Sequence, residues 1–277
     1  MNFEEFRSRD GVGLAHLLAS NAVSPLELMR IAIDAAVRFN KRTNMMSYAD
    51  FEGAPDRASR HQIVPGKFSG LPFLLKDSAL ASVDLPLSLG SSLFKGSRAQ
   101  SDSTLATRFR RAGFISFARS TVPEMCMAPT TEARRNGGPT RNPFDLERSS
   151  GRSSAGAAVA VACGIVPIAH GSDGGGSIRT PASCCGVFGL KPTRGRVPMG
   201  PFKGEGWGGL ASDGVISRTV RDTARALDLI GGFERGAPYA CPEGSGFEAA
   251  LGTPFEQPLR IALWQDPWGL PVGSHLS

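Results

Sequence analysis

A glycine-rich turn is the segment best suited to chemistry. The run Ser172-Asp-Gly174-Gly175-Gly176-Ser177 places three consecutive glycines directly before a serine. Because glycines let backbone N–H groups converge and put no side chain in the way, such a turn can hold an anion. It lacks the endings of a phosphate-binding P-loop and of a dinucleotide site. An oxyanion hole beside a nucleophilic Ser177 fits better, while the glycine count alone also fits an ordinary turn capped by Ser177.

A nucleophilic serine needs a base, and a lysine is the candidate. Lys76 ends the apolar run 71–75, where burial would lower its pKa and let the neutral amine accept a proton. The alternative is a strand-end lysine whose amine extends to water. No histidine lies in a motif that supplies a base, and His170 is predicted to be a bonded core or rim histidine. The G-x-S-x-G elbow of α/β-hydrolases is also missing. The four histidines are His16, His61, His170 and His275.

A second serine-rich turn precedes a run of small residues. It reads Ser149-Ser-Gly-Arg-Ser153-Ser154-Ala-Gly156. Either Ser153 or Ser154 would cap a helix beginning here. In a functional interpretation, one of these serines relays a proton between Lys76 and Ser177.

Hydrophobic spacing and helix-end signals predict the elements that must position these residues. The predicted helices span Pro25 to about Phe39, 103–112 (closed by Gly113), 154–163, a short stretch near Pro181, and Thr219 to Gly231. The predicted strands span 71–75, 114–118, 165–169 and 258–264, with a loop at 171–176. Helices alternating with continuous apolar strands indicate an α/β fold around a mixed, mostly parallel sheet covered by helices on both faces.

Composition narrows the class of protein. The 277 residues are 41% hydrophobic and 20% charged, which excludes disorder and allows one large core. The five cysteines are odd in number and include no C-x-x-C, so they indicate reduced thiols and a cytoplasmic location rather than disulfides or a zinc site. We predict no signal peptide and no membrane span. The net charge is +6, but the basic residues are spread along the chain, and the tightest groups are only the pairs Arg110-Arg111 and Arg134-Arg135. This even distribution of positive charge argues against a nucleic-acid partner.

Three motifs in order resemble the amidase signature family. They are Gly70-Leu-Pro-Phe-Leu-Leu-Lys76-Asp, then Gly151-Arg-Ser153-Ser-Ala-Gly156, then Gly171 to Thr193 around Ser177. The resemblance extends from about Gly13 to the predicted final strand. Within the family, the run 200–209 (Gly-Pro-Phe-Lys-Gly-Glu-Gly-Trp-Gly-Gly) together with the adjacent cysteines 184 and 185 is most similar to the 6-aminohexanoate cyclic dimer hydrolase subgroup.

The resemblance implies a Ser–Ser–Lys amidohydrolase that cleaves linear amide C–N bonds. Lys76 matches the base, Ser153 the bridging serine, which follows a cis peptide bond, and Ser177 the acylated nucleophile. The N–H groups of the glycine loop, Gly174, Gly175 and Gly176, would hold the oxyanion. No cofactor or metal is implied. The expected partner is a small-molecule amide substrate, and a homodimer is allowed.

The chain departs from the family pattern in two ways. Arg152 and Ala155 replace glycines of the usual Gly-Gly-Ser-Ser-Gly-Gly motif, which would cost about 1–2 kcal/mol if either position needed a positive φ. The chain is also short for the family. We expect one domain over 1–277, with an N-terminal helical segment at about 1–65 and a core at about 66–232. We also expect the chain to be truncated, with a C-terminal part of the domain missing after the strand near 259–264.

Three alternatives remain open from the sequence. The same triad would also fit the amidase subunit of a tRNA-dependent amidotransferase, although the stretch Gly-Glu-Gly-Trp-Gly-Gly at 204–209 argues against it. It would also fit an inactive amidase fragment. A third interpretation uses Ser92 and Lys95, which form an S-x-x-K motif of the penicillin-binding type but lack its K-T-G partner.

Overall fold

The computed structural model describes residues 1–241, 246–255 and 257–262. The helices are α1 (Phe3–Ser8), α2 (Gly11–Ala19), α3 (Pro25–Thr43), α4 (Gly53–Ser59), α5 (Thr104–Arg111), α6 (Ala155–Ala162), α7 (Arg179–Cys184) and α8 (Val220–Ile230). The strands are β1 (Met46–Ala49), β2 (Pro72–Lys76), β3 (Ile115–Ser120), β4 (Ile168–Asp173), β5 (Phe188–Gly189) and β6 (Ser212–Ser217). The segment 1–65 is helical as predicted, apart from β1.

The predicted starts of α3, α5 and α8 are confirmed by their side-chain caps. The expected cap of α6 is wrong, because the Ser154 hydroxyl donates to the Ser172 carbonyl and the Ser153 hydroxyl contacts Lys76 Nζ. The Ser24 hydroxyl accepts the N–H of Glu27 at 3.1 Å, and Pro25 occupies the first helical position of α3. The Glu27 carboxylate does not complete a capping box, because it accepts instead from the N-terminal ammonium of Met1. Helix α3 runs four residues past the predicted end and stops where Asn44 takes a left-handed φ of 50°.

Two three-stranded sheets form the centre of the fold. Their orders are β1-β3-β2 and β4-β6-β5. Among the described strand pairs, β2–β3 is parallel, while β1–β3, β4–β6 and β5–β6 are antiparallel. The mixed α/β class is confirmed, but the expectation of a mostly parallel sheet is corrected. Two parallel strands need a crossover connection, which usually contains a helix. The stretch between β5 and β6 contains no helix, and these two strands pair antiparallel.

Helices cover both faces of the sheets, as predicted. Alternate side chains of β2 divide between two apolar clusters, with Phe73 and Leu75 in one and Leu74 in the other. Helices α2, α5 and α8 contribute to the first cluster through Leu14, Phe109 and Leu227. Helices α3, α4 and α6 contribute to the second through Met29, Ala54 and Val159.

The structure corrects two predicted boundaries. Residues 171–173, expected in a loop, belong to β4, because they pair with residues 212–214 of β6. The expected strand at 258–264 is not formed over 258–262, and its last two residues lie outside the described part of the chain. Leu259 and Ile261 are 59% and 83% exposed, and no described strand pairs with this segment. An apolar run without a partner strand lacks the hydrogen-bond ladder that defines a strand.

A buried carboxylate joins the beginning of the described chain to α8. The two oxygens of Asp222 accept the N–H groups of Gly11 and Val12 at 2.8 and 2.9 Å. These are the first N–H groups of α2, which have no partner within the helix.

We therefore expect Asp222→Ala to lower the free energy of unfolding by about 1–3 kcal/mol, because it strands two buried donors. Chemical denaturation measures the change. The control is Asp34→Ala, which removes an exposed carboxylate of α3 and should shift stability by less than about 0.5 kcal/mol. Equal effects of the two substitutions would contradict the capping role.

Candidate active site

The structure brings the three predicted site residues to one place. Ser153 precedes α6 and Ser177 precedes α7, and both line a cavity of about 160 Å³. Lys76, the last residue of β2, is fully buried, and its Nζ lies 2.7 Å from Ser153 Oγ. Ser177 is 6% exposed, and its backbone carbonyl accepts the N–H of Ser154 at 3.2 Å. No hydrogen bond joins the hydroxyls of Ser153 and Ser177 in the described structure, although both residues line the same cavity.

The lysine amine has three polar neighbours, which equals the number of hydrogen bonds that a neutral amine can form. Nζ lies 2.9 Å from Ser172 Oγ, 3.2 Å from the Ser172 carbonyl oxygen and 2.7 Å from Ser153 Oγ. A neutral amine donates two hydrogen bonds and keeps one lone pair. Since the Ser172 carbonyl can only accept, the lone pair of a neutral amine is left for one of the two hydroxyls, that of Ser153 or that of Ser172. Burial lowers the pKa of Lys76, opposed in part by the nearby Cys126 and Asp213, and so favours this neutral form.

Two side chains hold the backbone of this lysine. Its N–H donates to His170 Nδ1 at 3.1 Å, and its carbonyl accepts from the Arg119 guanidinium at 3.1 Å. Because Nδ1 accepts, the proton of the neutral ring must lie on Nε2, which is 3.1 Å from Asp213 Oδ1. Burial lowers the pKa of His170 despite the opposing effect of Asp213, and this keeps the ring neutral. His170 is thus a bonded core histidine that links β2 to β6.

The turn carrying Ser153 is shaped by close backbone contacts. Gly151 has a φ of +82°, and a Cβ there would lie 2.9 Å from the Pro181 Cα. The peptide bond between Arg152 and Ser153 is cis. Neither Arg152 nor Ala155 has a positive φ, so the strain considered for these replacements does not arise.

A buried aspartate organises the glycine loop. Asp173 accepts the N–H of Gly176 at 2.7 Å and that of Ile178 at 3.1 Å, and it pairs with the Arg179 guanidinium. Burial alone would raise the pKa of Asp173, but these hydrogen bonds outweigh it and hold the pKa well below its usual range. The N–H of Gly176 is therefore already engaged. The N–H groups of Gly174, Gly175 and Ser177 have no acceptor within the described chain and remain available to an anion.

Several residues of the cavity escaped sequence reasoning. Ser172 was assigned to a loop, but as a strand residue it contacts the lysine amine. Trp207 covers the glycine loop so closely that a Cβ at Gly174 would lie 2.9 Å from its ring. Asp213 was also missed, although β6 places it opposite Ser172. The family-like run around Trp207 was the available signal.

The S-x-x-K interpretation is not supported by the structure. Ser92 and Lys95 are both exposed, and neither lines the cavity of Ser177. Within the described chain, none of the five cysteines forms a disulfide. Within the described ranges, no group of acidic, histidine or cysteine side chains is arranged to hold a metal ion. Among the helices described, none combines the length and apolar character needed to cross a membrane.

The α/β fold holds a buried lysine that is hydrogen-bonded to one serine. A second serine lies beside backbone N–H groups that have no acceptor. These are the parts of a serine hydrolase that uses lysine as its base. A family model described as Amidase matches residues 27–272. The chain belongs to the amidase signature family.

Curated and solved relatives agree with this assignment. The 6-aminohexanoate-cyclic-dimer hydrolase of Paenarthrobacter ureafaciens is 38% identical over 272 residues, covering 96% of this chain and 52% of that protein. A solved 6-aminohexanoate cyclic dimer hydrolase complexed with substrate matches with a TM-score of 0.79 and 37% identity, over 86% of this chain and 49% of that one. A bacterial aryl acylamidase matches with a TM-score of 0.81 and 32% identity, over 88% and 51% of the two chains. The chain thus spans about half the length of the curated relatives it matches.

The protonation state of Lys76 predicts a pH dependence. Since burial lowers its pKa, the amine is neutral above that lowered pKa, and its ability to accept a proton is lost as the pH falls through it. We expect the rate of Ser177 labelling by a fluorophosphonate to fall towards acidic pH, as followed by intact mass. A rate that stays constant between about pH 5 and 9 would argue against a lysine base. Lys76→Met should lose both the rate and its pH dependence.

The contact between His170 and the backbone of Lys76 can be tested with two matched variants. His170→Asn keeps an acceptor near the position of Nδ1, whereas His170→Gln reaches towards Asp213 and loses that acceptor. Both variants lose the ring that packs edge-on against Phe109. We expect Ser177 labelling to be about tenfold slower in the glutamine variant than in the asparagine variant, since a buried N–H loses its partner. Equal rates at equal thermal stability would show that His170 acts through packing alone.

Proposed function

We propose that the protein hydrolyses linear amide C–N bonds through an acyl-enzyme on Ser177. The observation that carries the proposal is the 2.7 Å contact between Lys76 Nζ and Ser153 Oγ at the wall of the cavity that Ser177 lines. A buried neutral amine next to a hydroxyl is a base that needs no histidine. The relatives described above support an amide as the substrate, since two of them are named for amide hydrolysis.

In the first half of the reaction, Ser177 Oγ attacks the amide carbonyl carbon. Its proton passes to Ser153 Oγ while the proton of Ser153 passes to Lys76 Nζ, so the lysine becomes an ammonium. The carbonyl oxygen becomes an oxyanion, which the N–H groups of Gly174, Gly175 and Ser177 stabilise. The hydrogen bond from Gly176 to Asp173 keeps this loop in place.

In the second half, the tetrahedral intermediate collapses and the C–N bond breaks. Lys76 returns its proton through Ser153 to the leaving nitrogen, which departs as an amine or ammonia. A water molecule then attacks the acyl-enzyme and gives its proton to the same relay. This releases the carboxylic acid and regenerates the Ser177 hydroxyl.

The cavity is lined by both polar and apolar side chains, which suits an amide with a hydrocarbon part. Ser78, Asp213 and the two reacting serines contribute polar groups, while Leu80, Leu89 and Met199 contribute apolar ones. The 6-aminohexanoate cyclic dimer named for the relative of Paenarthrobacter ureafaciens is accordingly one of the amides to try beside linear ones. A dimeric state and a cytoplasmic location stay predictions.

We expect Ser177→Ala to reduce amide hydrolysis by at least about 1,000-fold, because it removes the group that becomes acylated. Mass spectrometry of the full chain after brief mixing with a linear amide should show the acyl adduct on Ser177. The matched control is Ser183→Ala, which changes an exposed serine of α7 and should stay within about twofold of the parent rate. Undiminished turnover in Ser177→Ala would rule out this nucleophile.

The same assay separates the two remaining alternatives. Turnover confined to glutamine would favour the amidotransferase subunit. A folded protein that gives neither an adduct nor turnover with any amide would favour the inactive fragment.

A further inference from the structure

The fold gathers basic side chains that are distant in sequence around a second cavity. This cavity of about 290 Å³ is lined by Lys95, Arg98 and Arg135, with the hydroxyl side chains of Ser47 and Tyr48. Its described lining contains no acidic residue, and none of it contributes to the cavity of Ser177. The sequence spreads these cations over about 40 positions, so only the fold shows that they converge.

None of the three cations has a partner in the described chain. Every ion pair of the described residues involves other side chains, and no hydrogen bond or ring contact is made by the side chains of Lys95, Arg98 or Arg135. Arg135 Nε is moreover buried without a hydrogen-bond acceptor. A buried donor that has lost water and gained no acceptor is destabilising, and like charges close together repel. An anion in the cavity would relieve both penalties.

The residues that line the cavity come from three parts of the fold. Tyr48 lies on β1, which forms the edge of its sheet, and Arg135 lies in a short 3-10 turn at 134–136. The stretch 86–88 also lines the cavity, and Asp77 fixes it by accepting the N–H of Ser88 at 2.7 Å. The volume is at the lower end of the range for small-molecule sites.

We propose that this second cavity binds a compact polyanion, a phosphate ester or a dicarboxylate with at least two negative charges. Two guanidinium groups and one ammonium match such a ligand, because a guanidinium can bind either oxyanion through two parallel hydrogen bonds. Tyr48 and Ser47 provide hydroxyl groups for the remaining oxygens. The proposal does not depend on the amide hydrolysis proposed above.

Calorimetric titration of the full chain tests the site with inorganic pyrophosphate and with succinate as separate probes. At an ionic strength of about 0.15 M, distant charges are screened within about 8 Å, so general attraction is suppressed. We expect saturable binding of at least one probe at a single site, and which probe binds distinguishes the phosphate from the dicarboxylate source. Binding should also raise the melting temperature, since the ligand associates with the folded state.

The decisive comparison uses two neighbouring arginines. Arg135→Gln should weaken binding about tenfold, because it removes a charged hydrogen-bond donor from the site. Arg134→Gln removes an exposed charge next to it that does not line the cavity, and should change affinity by less than about twofold. Lys95→Gln provides a second variant on the opposite side, with about threefold weaker binding expected.

Two results would overturn the proposal. One is the absence of saturable binding for both probes up to about 1 mM, the weak limit of specific association. The other is an equal loss of affinity in Arg134→Gln and Arg135→Gln, which would assign the attraction to general surface charge. The melting temperatures of the unliganded variants verify that each one is folded.

Discussion

The burial of one amine is the interaction on which the rest of the site depends. An ammonium removed from water is costly, so the complete burial of Lys76 favours the neutral amine. Its nitrogen lies within hydrogen-bond distance of Ser172 and of the Ser153 hydroxyl. The burial that makes the charged form costly therefore also makes the amine able to accept a proton. His170 and Arg119 then bond its backbone N–H and carbonyl, which fixes the amine relative to both serines.

Close approach of backbones is the second constraint, and glycine meets it at particular positions. A Cβ at Gly156 would lie 2.3 Å from the Met45 carbonyl oxygen, so only glycine lets α6 pack against the chain there. Trp207 imposes the same requirement at Gly174, where the backbone must present its N–H to the cavity. By contrast, Arg152 and Ala155 occupy positions of ordinary φ. Larger residues are accepted there because the family glycines they replace are not needed for conformation.

Sequence reasoning succeeded where local chemistry decides the structure. Ser24 and Pro25 begin a helix, Gly113 ends one, and the apolar run before Lys76 is a strand, since caps and periodicity act over a few residues. Sequence reasoning failed where pairing between strands that are distant in sequence decides the structure. The chain at 171–173 is glycine- and serine-rich but extended, because β6 supplies its ladder, whereas the apolar run at 258–262 has no such partner. Contacts between distant residues, such as His170 with Asp213, carry no local signal at all.

The residue after β2 bonds to the linings of both cavities. Asp77 directly follows Lys76, the last residue of the strand, and is buried. Asp77 accepts the backbone N–H groups of Ser88 and Leu89, at 2.7 and 3.3 Å, and the hydroxyl of Ser88. Ser88 lines the basic cavity and Leu89 lines the cavity of Ser177. A single buried carboxylate next to Lys76 thus holds two adjacent residues, one in the lining of each cavity.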